Sequence, residues 1–286
     1  MFLVSDRSHD TLAISTMKLS EFVAKTRKPR AIRRLFFDIE TSPNIVFSWS
    51  VGYKLNISYE NIIKERAIIC ICWKWEHEKT VSSLEWKNGD DKKMLIEFAK
   101  VLDSADEVIG HNSDNFDLKW LRTRFVFHGI QASPYIKGID TLKLSRRGFR
   151  FNSNRLDYIG EFLGLGRKIK TEHGLWVAIA LHNDQKALAD MVRYCKRDVQ
   201  LVEQVYHKLE SYGPHKTHAG VLAGGFKSHC PKCASQNTEK KTHRVTPAGT
   251  RQYQMVCNDC GRQFTISATE AFRREQEKWA ELETKE

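Results

Sequence analysis

Phe36-Phe37-Asp38-Ile39-Glu40-Thr41 is the stretch on which the reading of this chain turns. It closes an apolar run from Leu35, of the length and residue types that make a strand. Side chains alternate across a strand, so Asp38 and Glu40 point to one face. Adjacent carboxylates repel unless a cation lies between them, and hard divalent ions choose oxygen ligands. An acid pair at a strand end is also the mark of a solvated edge or a helix cap, so its meaning depends on the rest of the chain.

Working outward, further strands are expected at 45–51, 67–75 and 81–86. Residues 92–102 then place Met94, Leu95, Phe98, Ala99 and Leu102 on one helical stripe. A short strand at 107–110 leads into a helix from about Asp114 to His128, and after 138–141 the chain is mainly helical, ending in a long amphipathic segment at 187–209. Strands first, then helix and strand alternating, then helices, describe one mixed α/β domain over 31–212. Residues 1–30 read as a basic arm with a short helix near 19–25, and Met17 is a second candidate start. Gly213, Pro214, Gly220, Gly224 and Gly225 mark 213–226 as a linker. Residues 227–266 are too few to sustain a core without a staple, and 267–286 read as a charged helix or tail.

Composition bounds the function. With 286 residues, 41% hydrophobic and 28% charged, the chain is globular rather than disordered. The longest uncharged apolar run, 67–73, falls far short of the ~20 residues of a spanning helix, and Asp6 and Arg7 interrupt any signal-peptide core, so no membrane role is expected. The net charge of +11 favours a polyanionic partner. Its excess flanks the domain: 8 cations to 3 acids in 1–34 and 8 to 2 in 213–266, against 26 to 24 in 35–212. Flanks that grip nucleic acid, or solvated charge kept for solubility, both account for this.

Two more elements accompany the acid pair. Val108-Ile109-Gly110-His111-Asn112-Ser113-Asp114-Asn115-Phe116-Asp117 places Asn112 at a strand exit and Asp117 in the first turn of a helix, with Phe116 free to pack inward. An Asx turn and an acid at the helix dipole would look the same. In Tyr194-Cys195-Lys196-Arg197-Asp198 the first and last residues share a helical face, ~6 Å apart along the axis.

In this order and spacing, the three elements resemble the DEDD, or DnaQ-like, superfamily of 3′→5′ exonucleases. The variant third motif would need a histidine five residues before Asp198, where Arg193 stands, so the chain is similar to the tyrosine subclass, which includes the proofreading domains of family B DNA polymerases. The likeness covers roughly 33–210 and is reminiscent of stand-alone bacterial or phage versions. It implies a ribonuclease H-like mixed sheet flanked by helices. It also implies that Asp38, Glu40, Asp117 and Asp198 hold two Mg²⁺ or Mn²⁺ ions ~3.5–4 Å apart. Tyr194 would orient the attacking water rather than deprotonate it, since a phenol pKa lies near ~10. The expected reaction releases nucleoside 5′-monophosphates from single-stranded or frayed 3′ ends, of DNA in preference to RNA, which stays a possible substrate. Asn112 would support the metal ligands from behind or touch the substrate strand rather than hold a metal, Phe116 would touch the strand, and Asp140 is read as a helix cap rather than a fifth ligand. Arg146, Arg147, Arg150 and Arg155 interleave with Phe149 and Phe151, as in single-strand binders, or else form a solvated loop resting its phenylalanines on the core. Arg167, Lys168 and Lys170 share that ambiguity. The competing functions are a structure-selective endonuclease on the same fold and a silent nucleic-acid-binding or recruitment protein.

Cys230-Pro231-Lys232-Cys233 and Cys257-Asn258-Asp259-Cys260 form two Cys-x-x-Cys knuckles. Four thiolates so spaced suit one tetrahedral Zn²⁺, which a module this small needs in order to fold. The segment resembles a zinc ribbon, with His229 and His243 as bystanders. Cys70, Cys72 and Cys195 leave an odd cysteine count, which favours a reducing compartment, bacterial or host cytoplasm, over disulfides. Lys240, Lys241, Arg244 and Arg251 with Tyr253 favour a nucleic-acid contact by the ribbon; docking to a replication or repair protein is the rival.

Overall fold

The computed structural model describes residues 31–52, 54–167 and 174–283. The basic arm 1–30, its expected helix near 19–25, Lys168 and Lys170 lie outside them. The described chain divides into two units: Ile32–His218 with Gly261–Gln263, and Ala219–Cys260 with Phe264–Glu286.

In the larger unit the strand that opens the chain's reading, β1 (Arg34–Thr41), is central to a five-stranded sheet. Its neighbours are β4 (Ile68–Trp75), antiparallel, and β6 (Glu107–Gly110), parallel. The edges are β5 (Ser82–Glu85), antiparallel to β4, and β7 (Gly138–Asp140), parallel to β6. The order β5-β4-β1-β6-β7, with helices packed on the sheet, fits a ribonuclease H-like fold. Leu35, Phe36, Phe37 and Ile39 are all buried, as a strand covered on both faces requires. Phe37 meets Phe98 of α1 (Lys92–Asp103) at 6.1 Å between ring centres. Phe36 meets Tyr206 of α6 (Gln185–Leu209) at 5.5 Å. The two-residue period therefore turns Phe36, Asp38 and Glu40 toward α6 and Phe37 and Ile39 away from it.

The expected stripe on α1 is the buried one: Met94, Leu95, Phe98, Ala99 and Leu102. Asp91 precedes this helix and is fully enclosed. Its carboxylate accepts from Ile68 N–H (3.0 Å), from Arg124 Nε and Nη2 (both 2.8 Å) and pairs with His128 Nε2 (2.7 Å). Arg124 and His128 belong to α2 (Asp117–His128), so one carboxylate joins α1, α2 and β4.

Two sequence expectations need correction. The strand over 45–51 shrinks to β2 (Ile45–Val46), paired with β3 (Ile62–Lys64), which the pattern did not announce. Just beyond β2, the Ser48 hydroxyl donates to the Ser50 carbonyl at 2.7 Å, a local bond that competes with strand pairing. Helix α2 begins at Asp117, not Asp114. Asn112 has φ +64°, and its carbonyl accepts from Asn115 N–H and Phe116 N–H, so a turn occupies the intervening residues. Gly129, at φ +65°, closes the same helix. Helices α3 (Thr141–Gly148), α4 (Leu156–Phe162) and α5 (Gly174–His182) precede α6.

In the smaller unit, the stretch read as linker holds a one-turn helix, α7 (Ala219–Leu222). Beyond it a sheet of order β10-β9-β8 is built from β8 (Thr238–Val245), β9 (Arg251–Cys257) and β10 (Gln263–Ser267), followed by α8 (Ala268–Glu283). Among the described residues its apolar centre is Met255, Phe264 and Ile266, with Tyr253 and Ala271 against them. That is too little to hold some 40 residues, which is why the cysteines matter. Among the described residues no helix is long and apolar enough to cross a membrane.

Candidate active site

Three carboxylates converge between β1 and α6. Oxygens of Asp38, Glu40 and Asp198 lie within 4.8 Å of one another. Strand alternation supplies the first two. Asp198 arrives because Met191, Cys195, Val199 and Val202 bury one face of α6 on the sheet, so its carboxylate is itself almost wholly enclosed. Asp117, equally buried, accepts from Ile39 N–H at 3.1 Å, which fastens the start of α2 to the strand segment between Asp38 and Glu40. Tyr194 stands one turn before Asp198, half-buried against the core.

Small thiols floor the site. Cys72 and Cys70 of β4 stand opposite Asp38 and Glu40 in the antiparallel register, and Cys195 donates from α6 to the Asp38 carbonyl (3.4 Å) and Oδ2 (3.5 Å). All three are fully buried with sulfurs mutually within 4.8 Å. Side chains this short let α6 approach closely enough for Asp198 to reach the strand. Sequence alone assigns these cysteines no role at the site; the one signal is Cys195 lying between Tyr194 and Asp198.

The segment after β6 is arranged by Asp140. Its carboxylate caps α3 through Leu142 N–H (2.9 Å) and also accepts from Asn112 N–H at 2.8 Å. Asp140 is thus a cap that also fixes the left-handed turn at Asn112. Gly110 makes the tight exit possible, since a Cβ there would lie 2.6 Å from that of Ser113 and 3.3 Å from the Phe37 carbonyl. Phe116 is half-buried against the core.

Of the interleaved run, Arg146, Arg147, Arg150 and Arg155 are exposed. Phe149 and Phe151 stack on each other at 5.3 Å and rest on the core, with Tyr212 and Phe162 at their edges. The run therefore offers cations to a ligand while its rings serve the fold. Arg167 pairs with Glu161.

Residues 57–165 match the model of a family described as predicted 3'-5' exonucleases related to the exonuclease domain of PolB. No curated protein matches the chain. The matched segment contains Asn112, Phe116, Asp117 and the arginine run; it begins after Asp38 and Glu40 and ends before Tyr194 and Asp198. It supports an exonuclease-like domain and nuclease activity in general, with the dependence on divalent metal and the contact with nucleic acid that such an activity implies.

In the smaller unit Cys230, Cys233, Cys257 and Cys260 bring their sulfurs within 4.8 Å of one another. Cys230 and Cys260 are 3.5 Å apart and Cys233 and Cys257 3.6 Å. A tetrahedral Zn²⁺ with ~2.3 Å bonds needs sulfurs ~3.8 Å apart, whereas a disulfide needs ~2.05 Å. The cluster is compatible with zinc. Lys232 N–H points at the Cys230 sulfur (3.4 Å), and neither His229 nor His243 joins the group.

Proposed function

We propose that this chain is a metal-dependent 3′→5′ exonuclease of the tyrosine subclass, degrading DNA from single-stranded or frayed 3′ ends to nucleoside 5′-monophosphates. The observation that carries the reading is the convergence of Asp38, Glu40 and Asp198, which stand close enough to share a cation. An all-oxygen donor set, with Asp117 fastened beside it, fits two hard divalent ions, Mg²⁺ or Mn²⁺. When bound, such ions activate a water and offset charge on the departing 3′ oxygen.

The chain's own groups do the rest. Ile39 N–H keeps the Asp117 carboxylate turned toward β1. The Cys195 thiol holds one Asp38 oxygen, fixing which edge of that carboxylate faces outward. Tyr194, one turn from Asp198, would keep its phenolic proton at neutral pH and orient the attacking water by hydrogen bonding. Asn112, whose backbone N–H is held by Asp140, would contact the substrate strand. Arg146, Arg147, Arg150 and Arg155 would meet phosphates of the strand that follows. DNA is preferred because the resemblance is to polymerase proofreading domains.

In the same reading, Cys230, Cys233, Cys257 and Cys260 hold one structural Zn²⁺. The ribbon grips nucleic acid through Lys240, Lys241, Arg244 and Arg251; Lys240 already lies 4.1 Å over the Tyr253 ring. The odd count of seven cysteines suits a reducing compartment such as the cytoplasm.

Digestion of a 5′-labelled single-stranded DNA and its RNA counterpart with Mg²⁺ or Mn²⁺, wild type beside Asp38→Ala, tests the reading. A ladder shortening from the 3′ end, absent in the variant, is expected on DNA. Cleavage of circular DNA would replace the exonuclease by an endonuclease, and binding without cleavage would leave a recruitment protein.

A further inference from the structure

The chain does not run directly from β1 to β4. Between them stands an arm closed at its base: Ser42 N–H donates to the Ala67 carbonyl (2.9 Å), Ala67 N–H to the Ser42 hydroxyl (3.0 Å) and Arg66 N–H to Asn44 Oδ1 (2.9 Å). The β2–β3 pair and Phe47 N–H to the Asn61 carbonyl (2.8 Å) carry the closure outward. Beyond that rung the arm turns apolar side chains into solvent. Trp49 is 88% exposed, Val51 99%, Tyr59 79% and Phe47 47%. Single exposed apolar residues are ordinary; several on one anchored arm mark an interaction site. Phe47 meets Trp49 edge to face at 4.5 Å, and with Trp49 88% exposed at least one indole face is open to a flat ligand.

The place and chemistry of the arm indicate its ligand. It continues the strand that presents Asp38 and Glu40, and Trp49 follows Glu40 by nine residues, a reach of at most ~30 Å along the chain. Exposed Ser48 and Ser50 flank Trp49, while exposed Lys54, Asn56 and Ser58 alternate with Leu55 and Ile57 up to Tyr59. The cores of protein interfaces are depleted in Lys and Ser, whereas single-strand binders alternate ring faces with cations and hydrogen-bonding groups.

We infer that this arm is a stacking subsite for the unpaired strand a few nucleotides from the 3′ end held at the carboxylates, with Trp49 and Tyr59 as its ring faces. The inference rests on the exonuclease reading and adds where the body of the substrate lies.

The test uses the full chain, wild type, Trp49→Ala, Tyr59→Ala and Trp49→Phe. Two quantities are measured: cleavage of oligothymidylates of decreasing length down to thymidine 5′-(p-nitrophenyl phosphate), and anisotropy of a labelled 15-mer in metal-free buffer. Losing one base–aromatic stack should raise KM and Kd for the 15-mer roughly 5- to 150-fold, with kcat little altered. The loss should fade as the substrate shortens to one nucleotide, and Trp49→Phe should recover most of it. An unchanged Kd and KM for the 15-mer overturns the inference while the nuclease reading stands. A change from dimer to monomer in Trp49→Ala by sedimentation, with Kd unchanged, overturns it in favour of a protein interface. A wild type that cleaves nothing yet binds the 15-mer through Trp49 would sustain the arm and sink the exonuclease reading.

Discussion

Asp198→Asn should stabilise the protein without metal and destabilise it, relative to wild type, with metal. Oxygens of Asp198, Asp38 and Glu40 lie within 4.8 Å of one another. At that separation, two unit charges at an effective dielectric of ~20 repel by about 3.5 kcal/mol, and Asp198 takes part in two such pairs. The full sum cannot accumulate, because protonating one ordinary carboxyl at pH 7 costs only about 4 kcal/mol and caps the strain. Asp38 and Glu40 are partly solvated, which lowers the figure again, so a gain of about 2 kcal/mol is a fair expectation for the neutral isostere. For a unit of this size that is roughly 4–8 °C in Tm. Mn²⁺ at 100 times its Kd should return about 2.7 kcal/mol to wild type and little to the variant, so the two melting curves cross. The assay is thermal unfolding of both proteins in resin-treated buffer, then with Mn²⁺, following the larger unit. A variant that melts below wild type without metal, beside a wild type indifferent to Mn²⁺, would refute the claim that these carboxylates share a cation.

Asp91→Asn should destabilise the larger unit by about 3–5 kcal/mol, because it leaves the buried Arg124 guanidinium without its anion. Burial alone would raise the Asp91 pKa, but hydrogen bonds from Arg124, Ile68 N–H and His128 outweigh it and hold the group below its usual value. Its contribution is therefore complete above the unfolded pKa of ~3.9 and lost as pH falls through the folded one; urea titrations of wild type and variant should differ by a constant amount near neutrality and converge in acid. Gly110→Ala should cost roughly 1–3 kcal/mol by chemical denaturation, as its Cβ would press on Ser113 and the Phe37 carbonyl. Cys257→Ser should abolish the zinc content of the chain and the sheet signal of the smaller unit, while calorimetry finds the transition of the larger unit in place.

How much of this was legible in the sequence depends on the range of the interaction involved. The alternation Phe36, Phe37, Asp38, Ile39, Glu40 sorts side chains to two faces within six residues, and the structure packs those faces on Tyr206 and Phe98. The α1 stripe was readable for the same reason, since a helical period is local. The arm after β1 was not, because β2 is two residues long, its partner lies sixteen positions on, and its aromatic residues are exposed where a strand pattern expects them inside. Cys195 escaped because its contact with Asp38 spans 157 positions and leaves no periodic trace. The start of α2 is not legible because one left-handed residue, Asn112, delays the helix by three positions, and nothing but its identity as Asn points to that.

Local spacing makes each acid pair possible, but register makes the site. Asp38 stands opposite Cys72 and Glu40 opposite Cys70, with a shift only after Glu40. If β1 slipped by one residue, both acids would turn toward the α1 face and Phe37 and Ile39 toward α6. That slip is opposed by the burial of Leu35, Phe36, Phe37 and Ile39, each enclosed between helices, at about 1.5–3 kcal/mol per side chain. It is opposed again by the bond from Ile39 N–H to Asp117, which forms only when Ile39 sits at the start of α2. The apolar residues around the acids therefore keep Asp38 and Glu40 facing Asp198, and conservative changes at Phe37 or Ile39 that loosen this register should impair the site without touching a carboxylate.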